Sequence, residues 1–458
     1  MPFVCKIAMV MLAILHLAAS WMSIDLSVPA FLITTVVLVA GTVLMGKGFR
    51  KVTLLFLCMG CSLLLYFRQD FSVWVAATNS MANVISLLVV MQLFSIPIKA
   101  GNYQSMMHYW LMKSFQGEAG LFLFATILTN VFASFLSFGT IPVMFSLVGA
   151  TCQNTVGNYK RFIATAIARG YALAVLWAPG AINLLLVAQA TGVRWLELFM
   201  PGFLLSLLGI VTSYALESKV HFSSQVNWSG QPVECSTLTS TEARAKAGHI
   251  GLVVISLVLL TIILEQFDLA ATTASRIMWA GVVVVGVWSA FLVRQPDFSA
   301  AVSAYWQHGL LKTVDLAPLF VSMGIFSTAI QKSGLLTLIQ PELQQLANIT
   351  GDLALVCMPL ILIVCAVIGI HPFISIVMFG QVLMNLNLPV TTVAVALSLA
   401  LGGSVAYILS PFAGIVLTLA KFLNCRPTDV ALNWNWVYCL LFFLEGLAFI
   451  YFWGRLAL

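Results

Sequence analysis

The chain has 458 residues, 61% of them hydrophobic and only 8% charged, at a mean hydropathy of +1.04. A soluble globular chain carries about a quarter charged residues, and no soluble domain of any size fits between the apolar runs, so a soluble enzyme or binding module is excluded. The net charge of +6 then reports which loops stay in the cytoplasm rather than an affinity for nucleic acid.

The first apolar segment, near 5–22, starts with Lys6 and ends on the small residues Ala18, Ala19 and Ser20. That pattern also suits a cleaved signal peptide, but ahead of so many later spans it is read as an uncut helix. Residues 1–27 are therefore an extra N-terminal transmembrane helix. Spans follow near 28–46, 51–67, 80–98, 160–193 and 195–216, each about the ~20 residues that cross a bilayer. After a polar linker at 217–247 come spans near 248–264, 276–293, 315–331, 391–425 and 434–455. Two further apolar stretches, 119–150 and 352–384, are too awkward for one clean crossing and are taken as re-entrant hairpins. The expected architecture is an all-α polytopic membrane protein of about eleven transmembrane helices. Of the nine cysteines, Cys58 and Cys61 form a C-x-x-C, but within LFLCMGCSLLL they read as small residues on one helical turn, with no second pair for a metal. No cofactor is expected.

The chain repeats itself. RQDFS (68–72) returns as RQPDFS (294–299). Met91, Phe94, Ser95 and Ile98 match Met323, Phe326, Ser327 and Ile330 at an offset of 232. At that same offset Gly170, Ala174, Pro179, Ala181, Leu185, Ala188 and Arg194 meet Gly402, Ala406, Pro411, Ala413, Leu417, Ala420 and Arg426. A third block aligns Phe132, Ser134, Phe138 and Gly139 with Phe373, Ser375, Phe379 and Gly380 at an offset of 241. Two repeats result, 28–216 and 248–458, each with five spans, a re-entrant hairpin and a proline-broken helix. Five crossings per repeat invert the second against the first. The charges agree: GKGFRK (46–51) is strongly positive, while its counterpart EQFDLAATTASR (265–276) holds two acids and one Arg. With a cytoplasmic N-terminus and linker, fourteen of the 21 Lys and Arg fall on the cytoplasmic side and five opposite, Arg169 and Lys421 lying inside spans.

Inverted repeats are the architecture of secondary transporters, which hold substrate near mid-membrane at interrupted helices. WAPGAIN (177–183) and LSPFAG (409–414) put proline, a helix breaker, inside long apolar runs at matching positions. Pro179, Gly180 and Asn183, with Ser410, Pro411 and Gly414, are therefore candidate site residues. LTNVFAS (128–134) and GIHPFIS (369–375) place polar side chains where the hairpins are expected to turn, which adds Thr129, Asn130, Ser134, His371 and Ser375. In that alignment Asn130 lies opposite His371. Polar groups in hydrocarbon need partners, so these face one another or a cavity. Of the intramembrane charges, Arg169 and Lys421 read as snorkelling to an interface, Glu445 as holding a structural hydrogen bond, and Asp315 as capping the span it starts.

Two inverted five-span halves, each with a hairpin and then a proline-broken helix, plus one extra N-terminal span, resemble the ion transporter superfamily. That group includes the divalent anion:sodium symporters, gluconate and citrate permeases and the membrane subunits of tripartite (TRAP) transporters. The divalent-anion family carries Ser-Asn-Thr at both hairpin tips. Thr129-Asn130-Val131 matches it in part and His371-Pro372-Phe373 does not. The resemblance implies an elevator-like motion against a scaffold that often dimerises, here a homodimer.

Helix N-termini suit an anion without a side-chain cation. The expected function is secondary transport of a small anionic solute, an organic carboxylate, across the cytoplasmic (inner) membrane. Backbone carbonyls with Asn130 and Ser134 would serve Na+ as the coupling ion, and His371 would serve H+. A TRAP-like membrane subunit or an ion channel is the alternative. An integral-membrane enzyme is disfavoured, because the only long loop is the linker, and its lone His221 makes a poor active site.

Overall fold

The computed structural model describes every residue except 22–24, 104, 105, 107, 108, 111–116, 137, 138, 150, 151, 154, 155, 221–238, 385, 457 and 458. Phe138, His221 and most of the linker thus lie outside the described residues. The described chain is helical throughout, and ten helices, or up to eleven, are long and apolar enough to cross a bilayer. In chain order the helices, short ones included, are α1 (Pro2–Ala19), α2 (Ser27–Leu44), α3 (Lys47–Tyr66), α4 (Phe71–Asn79), α5 (Ala82–Gln92), α6 (Ser95–Ala100), α7 (Glu118–Leu136), α8 (Thr140–Gly149), α9 (Tyr159–Ala174) and α10 (Ile182–Thr191). Then come α11 (Trp195–Val220), α12 (Ser240–Gln266), α13 (Thr273–Leu292), α14 (Phe298–Ala304), α15 (Ala317–Lys332), α16 (Leu335–Thr350), α17 (Ala354–Val367), α18 (Pro372–Met384), α19 (Thr392–Leu409), α20 (Gly414–Leu423) and α21 (Trp436–Leu456). The helices start where sequence favours it. Proline stands in the first turn of α1 and α15, where its missing N–H costs nothing. Thr272 and Thr391 accept the third amide of α13 and α19 on their hydroxyls.

The chain forms two compact units, and each draws on both halves of the sequence. The first comprises Met1–Ala100, Leu259–Ile349 and Gln381–Asn387, and the second Gly101–Val258, Thr350–Gly380 and Leu388–Leu458. In the first unit α3 packs along α15, and α13 along α5. Gly60 of α3 lies against the backbone of Phe326, while Phe94, the counterpart of Phe326, reaches Gly281 of α13. Asp315 does not cap α15. Its carboxylate accepts the Gly46 amide at 2.7 Å and so ties down the turn into α3.

In the second unit α7 packs on α9, α17 on α19, and α9 crosses α19. A Cβ on Gly170 would stand 2.5 Å from the Thr126 carbonyl oxygen, and one on Gly402 would stand 2.8 Å from Pro359 Cα. The same offset thus recurs as the same helix contact. At the α9–α19 crossing the Ser404 hydroxyl donates to the Ala172 carbonyl at 2.7 Å. These two positions are themselves 232 apart. A residue meets its own counterpart only at a two-fold axis, so a pseudo-two-fold passes through this crossing.

The third sequence alignment is corrected. Helix α7 runs unbroken through Thr129, Asn130 and Ser134 to Leu136. In the second half α17 ends at Val367, and Gly369 takes φ +105 before α18 starts at Pro372. The helices that follow start at Thr140 and Pro372, again 232 apart and not 241. Asn130 is therefore not the counterpart of His371, and Ser375 lies within α18 rather than at a tip.

Candidate functional site

The two broken helices lie in the second unit and are built alike. After α9 the Trp177 and Ala178 amides both donate to Ala174 O, the latter at 3.0 Å. Pro179 has no N–H to continue the ladder. Helical bonding resumes with Leu185 N–H to Ala181 O at 3.1 Å. After α19 the Ser410 amide bonds Ala406 O, Pro411 interrupts, and Leu417 N–H bonds Ala413 O at 2.9 Å. The amides of Ile182, Asn183 and Leu184, and of Gly414, Ile415 and Val416, thus precede the first helical bond of α10 and α20. Both short helices end in the left-handed region at equivalent positions, Gly192 at φ +70 and Asn424 at φ +48, which favours glycine or asparagine.

Several predicted site residues serve to fix these breaks. The Asn130 amide donates to Gly170 O at 3.2 Å and Ser206 Oγ at 3.1 Å, and its Oδ1 accepts Trp177 Nε1 at 3.3 Å. It therefore joins α7, α9, α11 and the first break. Thr129 and Ser134 return their hydroxyls to their own helix, at Ala125 O and Val131 O. Ser410 Oγ donates to Ala366 O at 2.6 Å and accepts the Phe412 amide at 3.2 Å, so it pins the second break to the end of α17. Pro179 and Gly180 are buried, whereas Pro411 and Gly414 are half-buried.

Two predicted residues differ. Asn183 is 1% exposed, and neither its Oδ1 nor its Nδ2 has a hydrogen-bond partner. Ser375 is 2% exposed, and its Oγ is likewise unpartnered. A buried polar group left unsatisfied costs about 1–3 kcal/mol.

Asn183 lies against a glycine. A Cβ on Gly403 of α19 would stand 2.4 Å from Asn183 Oδ1, so the amide occupies the room that the missing side chain leaves. Helix α18 runs antiparallel to α19. The rings of His371 and Phe373 lie 6.4 and 5.8 Å from that of Tyr407. At the other end a Cβ on Gly380 would approach Leu399 Cδ1 at 3.6 Å and Ala190 of α10 at 2.6 Å. His371 itself sits in the turn before α18, where its Nδ1 accepts the Phe373 amide at 3.3 Å.

The sequence missed a buried ionic cluster at the start of the α9–α11 pair. Arg169 does not snorkel; its side chain is fully buried. Its Nη2 donates to Glu217 Oε1 at 2.7 Å and to Trp434 O at 3.2 Å, its Nε to Asn435 Oδ1 at 2.8 Å and its Nη1 to Ser213 Oγ at 3.2 Å. The guanidinium lies 4.4 Å over the Tyr438 ring, and Arg161 shares Glu217 at 3.0 Å. Glu445 accepts a hydrogen bond from Thr212 at 2.5 Å, and Lys421 is exposed. Among the described residues no group of three His, Cys, Asp or Glu could hold a metal.

Among the described residues ten to eleven apolar helices of membrane-spanning length, together with two proline breaks at equivalent positions about a pseudo-two-fold, define a polytopic helical membrane protein. The chain is similar to the Alcanivorax borkumensis YdaH transporter, with a TM-score of 0.64 and 14% identity over 91% of this chain and 98% of that one. It also matches Neisseria gonorrhoeae MtrF, described with a class of antimetabolite efflux pumps, at a TM-score of 0.48 and 12% identity over 82% of this chain and 83% of that one. No protein-family model matches the chain, and no curated protein matches its sequence.

Proposed function

We propose that this chain is a secondary active transporter of a small anionic solute, an organic carboxylate, coupled to Na+ or H+. The observation that carries this reading is the pair of matched proline breaks in the second unit. There, first-turn amides stand free beside the unpartnered amide of Asn183, in a chain that shares its fold with a transporter. Helix N-termini attract anions through aligned dipoles and unbonded N–H groups, and in a dry site such donors act with little screening. The reading places the protein in an inner membrane with its N-terminus cytoplasmic, as a homodimer with elevator-like motion and ion transporter superfamily kinship.

Uptake by the purified protein in liposomes tests it. Saturable flux of a carboxylate that responds to an imposed Na+ or H+ gradient is the expected result. Flux only when a soluble binding protein is added would turn the reading towards a multi-component transporter, and unsaturable flux towards a channel. The inversion has its own check. Epitope tags placed in the turn at 46 and in the 267–272 loop should be reached from opposite sides of the membrane. Labelling of both from one side would remove the inverted repeat.

A further inference from the structure

Helices α11 and α21 are counterparts, since Ser213 and Glu445 stand 232 apart, and the two cross closely. A Cβ on Gly209 would lie 2.8 Å from Phe442 Cε2, and the Tyr438 hydroxyl donates to Gly209 O at 3.3 Å. At this crossing Thr212 Oγ1 donates to Glu445 Oε2 at 2.5 Å, across 233 residues. That separation is within one residue of the repeat offset, so the pseudo-two-fold that passes Ala172 and Ser404 also passes here. The axis of an inverted repeat lies in the plane of the membrane. Glu445 therefore sits at mid-depth, and it is the tenth of the 21 residues of α21.

This carboxylate stands at the lipid-facing edge of its helix. Leu441, Ala448 and Phe452, one turn before it and one and two turns after it, are exposed, as are Leu207 and Val211 of α11. Glu445 itself is half-buried, and its Oε1 has no hydrogen bond. Thr126, Thr129, Thr191 and Thr418 each donate to the carbonyl four residues back, whereas Thr212 gives its proton to the carboxylate instead. Among the described residues no cation pairs with Glu445. Of the elements packed on α21, α19 carries Tyr407, α17 carries Cys357 and Cys365, and the 429–433 turn carries Asp429, paired with Arg426. On α11, Glu217 is paired with Arg169 and Arg161, Tyr214 is exposed, and Glu197 and Lys219 lie near the ends. On α21 itself, Tyr438 and Cys439 lie towards its start, and Arg455 stacks on Tyr451 towards its end.

An unpaired charge at the centre of a bilayer is costly and marks an ion or proton path. A metal cation collects several oxygen ligands, which one free oxygen among leucines cannot supply, whereas a proton needs one. We infer that Glu445 is a proton-binding site at the bilayer midplane, with Thr212 holding its ionised form, and that H+ is the coupling ion. Oε1 takes up H+ and releases it as H+, with no other covalent bond changed. The coupling role deepens the proposed function and rests on it; the proton site does not.

The test is labelling with dicyclohexylcarbodiimide, which partitions into hydrocarbon and reacts with a protonated carboxyl. The acid proton passes to a carbodiimide nitrogen as the carboxylate oxygen bonds the central carbon, and rearrangement leaves a stable N-acylurea. Protein in liposomes should gain one reagent mass per chain, mapped to Glu445, and faster in acidic than in alkaline buffer. Glu445→Gln should gain none there and melt like wild type. Thr212→Val should label faster than wild type at the same pH, because the donor to the ionised form is gone. Uptake of radiolabelled acetate, succinate or benzoate should respond to an imposed H+ gradient in wild type and lose that response in Glu445→Gln.

No adduct on Glu445 in the folded protein, or a Thr212→Val protein that labels no faster than wild type, would overturn the proton site. Uptake that Glu445→Gln still couples to H+, uptake driven by Na+ alone, or no uptake of any of the three acids would overturn the coupling role. Labelling requires no transport, so the site and the carrier reading fail separately.

Discussion

Arg169→Leu is expected to prevent recovery of a folded protein. The guanidinium has no solvent exposure and bonds Glu217, Asn435, Ser213 and the Trp434 carbonyl at once. Those partners come from α11 and from the entry to α21, so one side chain joins three elements. Removing it leaves the Glu217 carboxylate, also without exposure, with Arg161 as its remaining cation. Breaking a buried ion pair from one side costs about 3–5 kcal/mol, a large share of the stability of a typical domain. Arg169→Lys should fail nearly as badly, because an ammonium cannot reproduce the planar fork that reaches Nε, Nη1 and Nη2 partners together. The check is size-exclusion behaviour and thermal unfolding in detergent, with Glu217→Gln as comparison. A stable, monodisperse Arg169→Leu protein would show that the cluster is not what holds these helices.

How much of this was legible beforehand depended on how local the signal was. The prolines at 179 and 411 were readable because a proline breaks a helix wherever it falls, and their recurrence at one offset located both breaks. Asn183 and Ser375 were named for the same reason, since they flank sequence-visible irregularities. The end of α7 at Leu136 gave no such sign, because no proline stands there. Asn130 drew attention instead as a polar residue in an apolar run. It turned out to be satisfied by groups 40, 47 and 76 residues away, and such partners cannot be seen along the chain. Arg169 was misread on the same ground, its partners lying 44 to 266 residues distant. The division into two units that each mix both halves was equally hidden, because repeats are covalent neighbours whereas packing follows the two-fold.

Gly170→Ala and Gly402→Ala should damage the protein alike, and that likeness is the sharper test of the repeat. Each glycine lets two helices approach until backbone meets backbone. A methyl on Gly170 would lie 2.5 Å from the Thr126 carbonyl oxygen and 2.7 Å from Thr129 Cβ, and one on Gly402 would lie 2.8 Å from both Cα and Cβ of Pro359. Neither obstacle is the tip of a flexible side chain, so the helices themselves must move apart. Overpacking of this kind costs about 1–3 kcal/mol, set against the smaller gain in helix propensity of alanine over glycine, at most about 1 kcal/mol. Gly251 of α12 has nothing within 4 Å of its would-be Cβ, so Gly251→Ala carries the propensity gain alone and should be neutral or slightly stabilising. Melting temperatures of the three variants decide the matter. Two matched decreases against an unchanged control are expected. A loss at Gly170 with none at Gly402 would mean that the two crossings are not equivalent, and the offset of 232 would then be a coincidence of sequence rather than a symmetry of the fold.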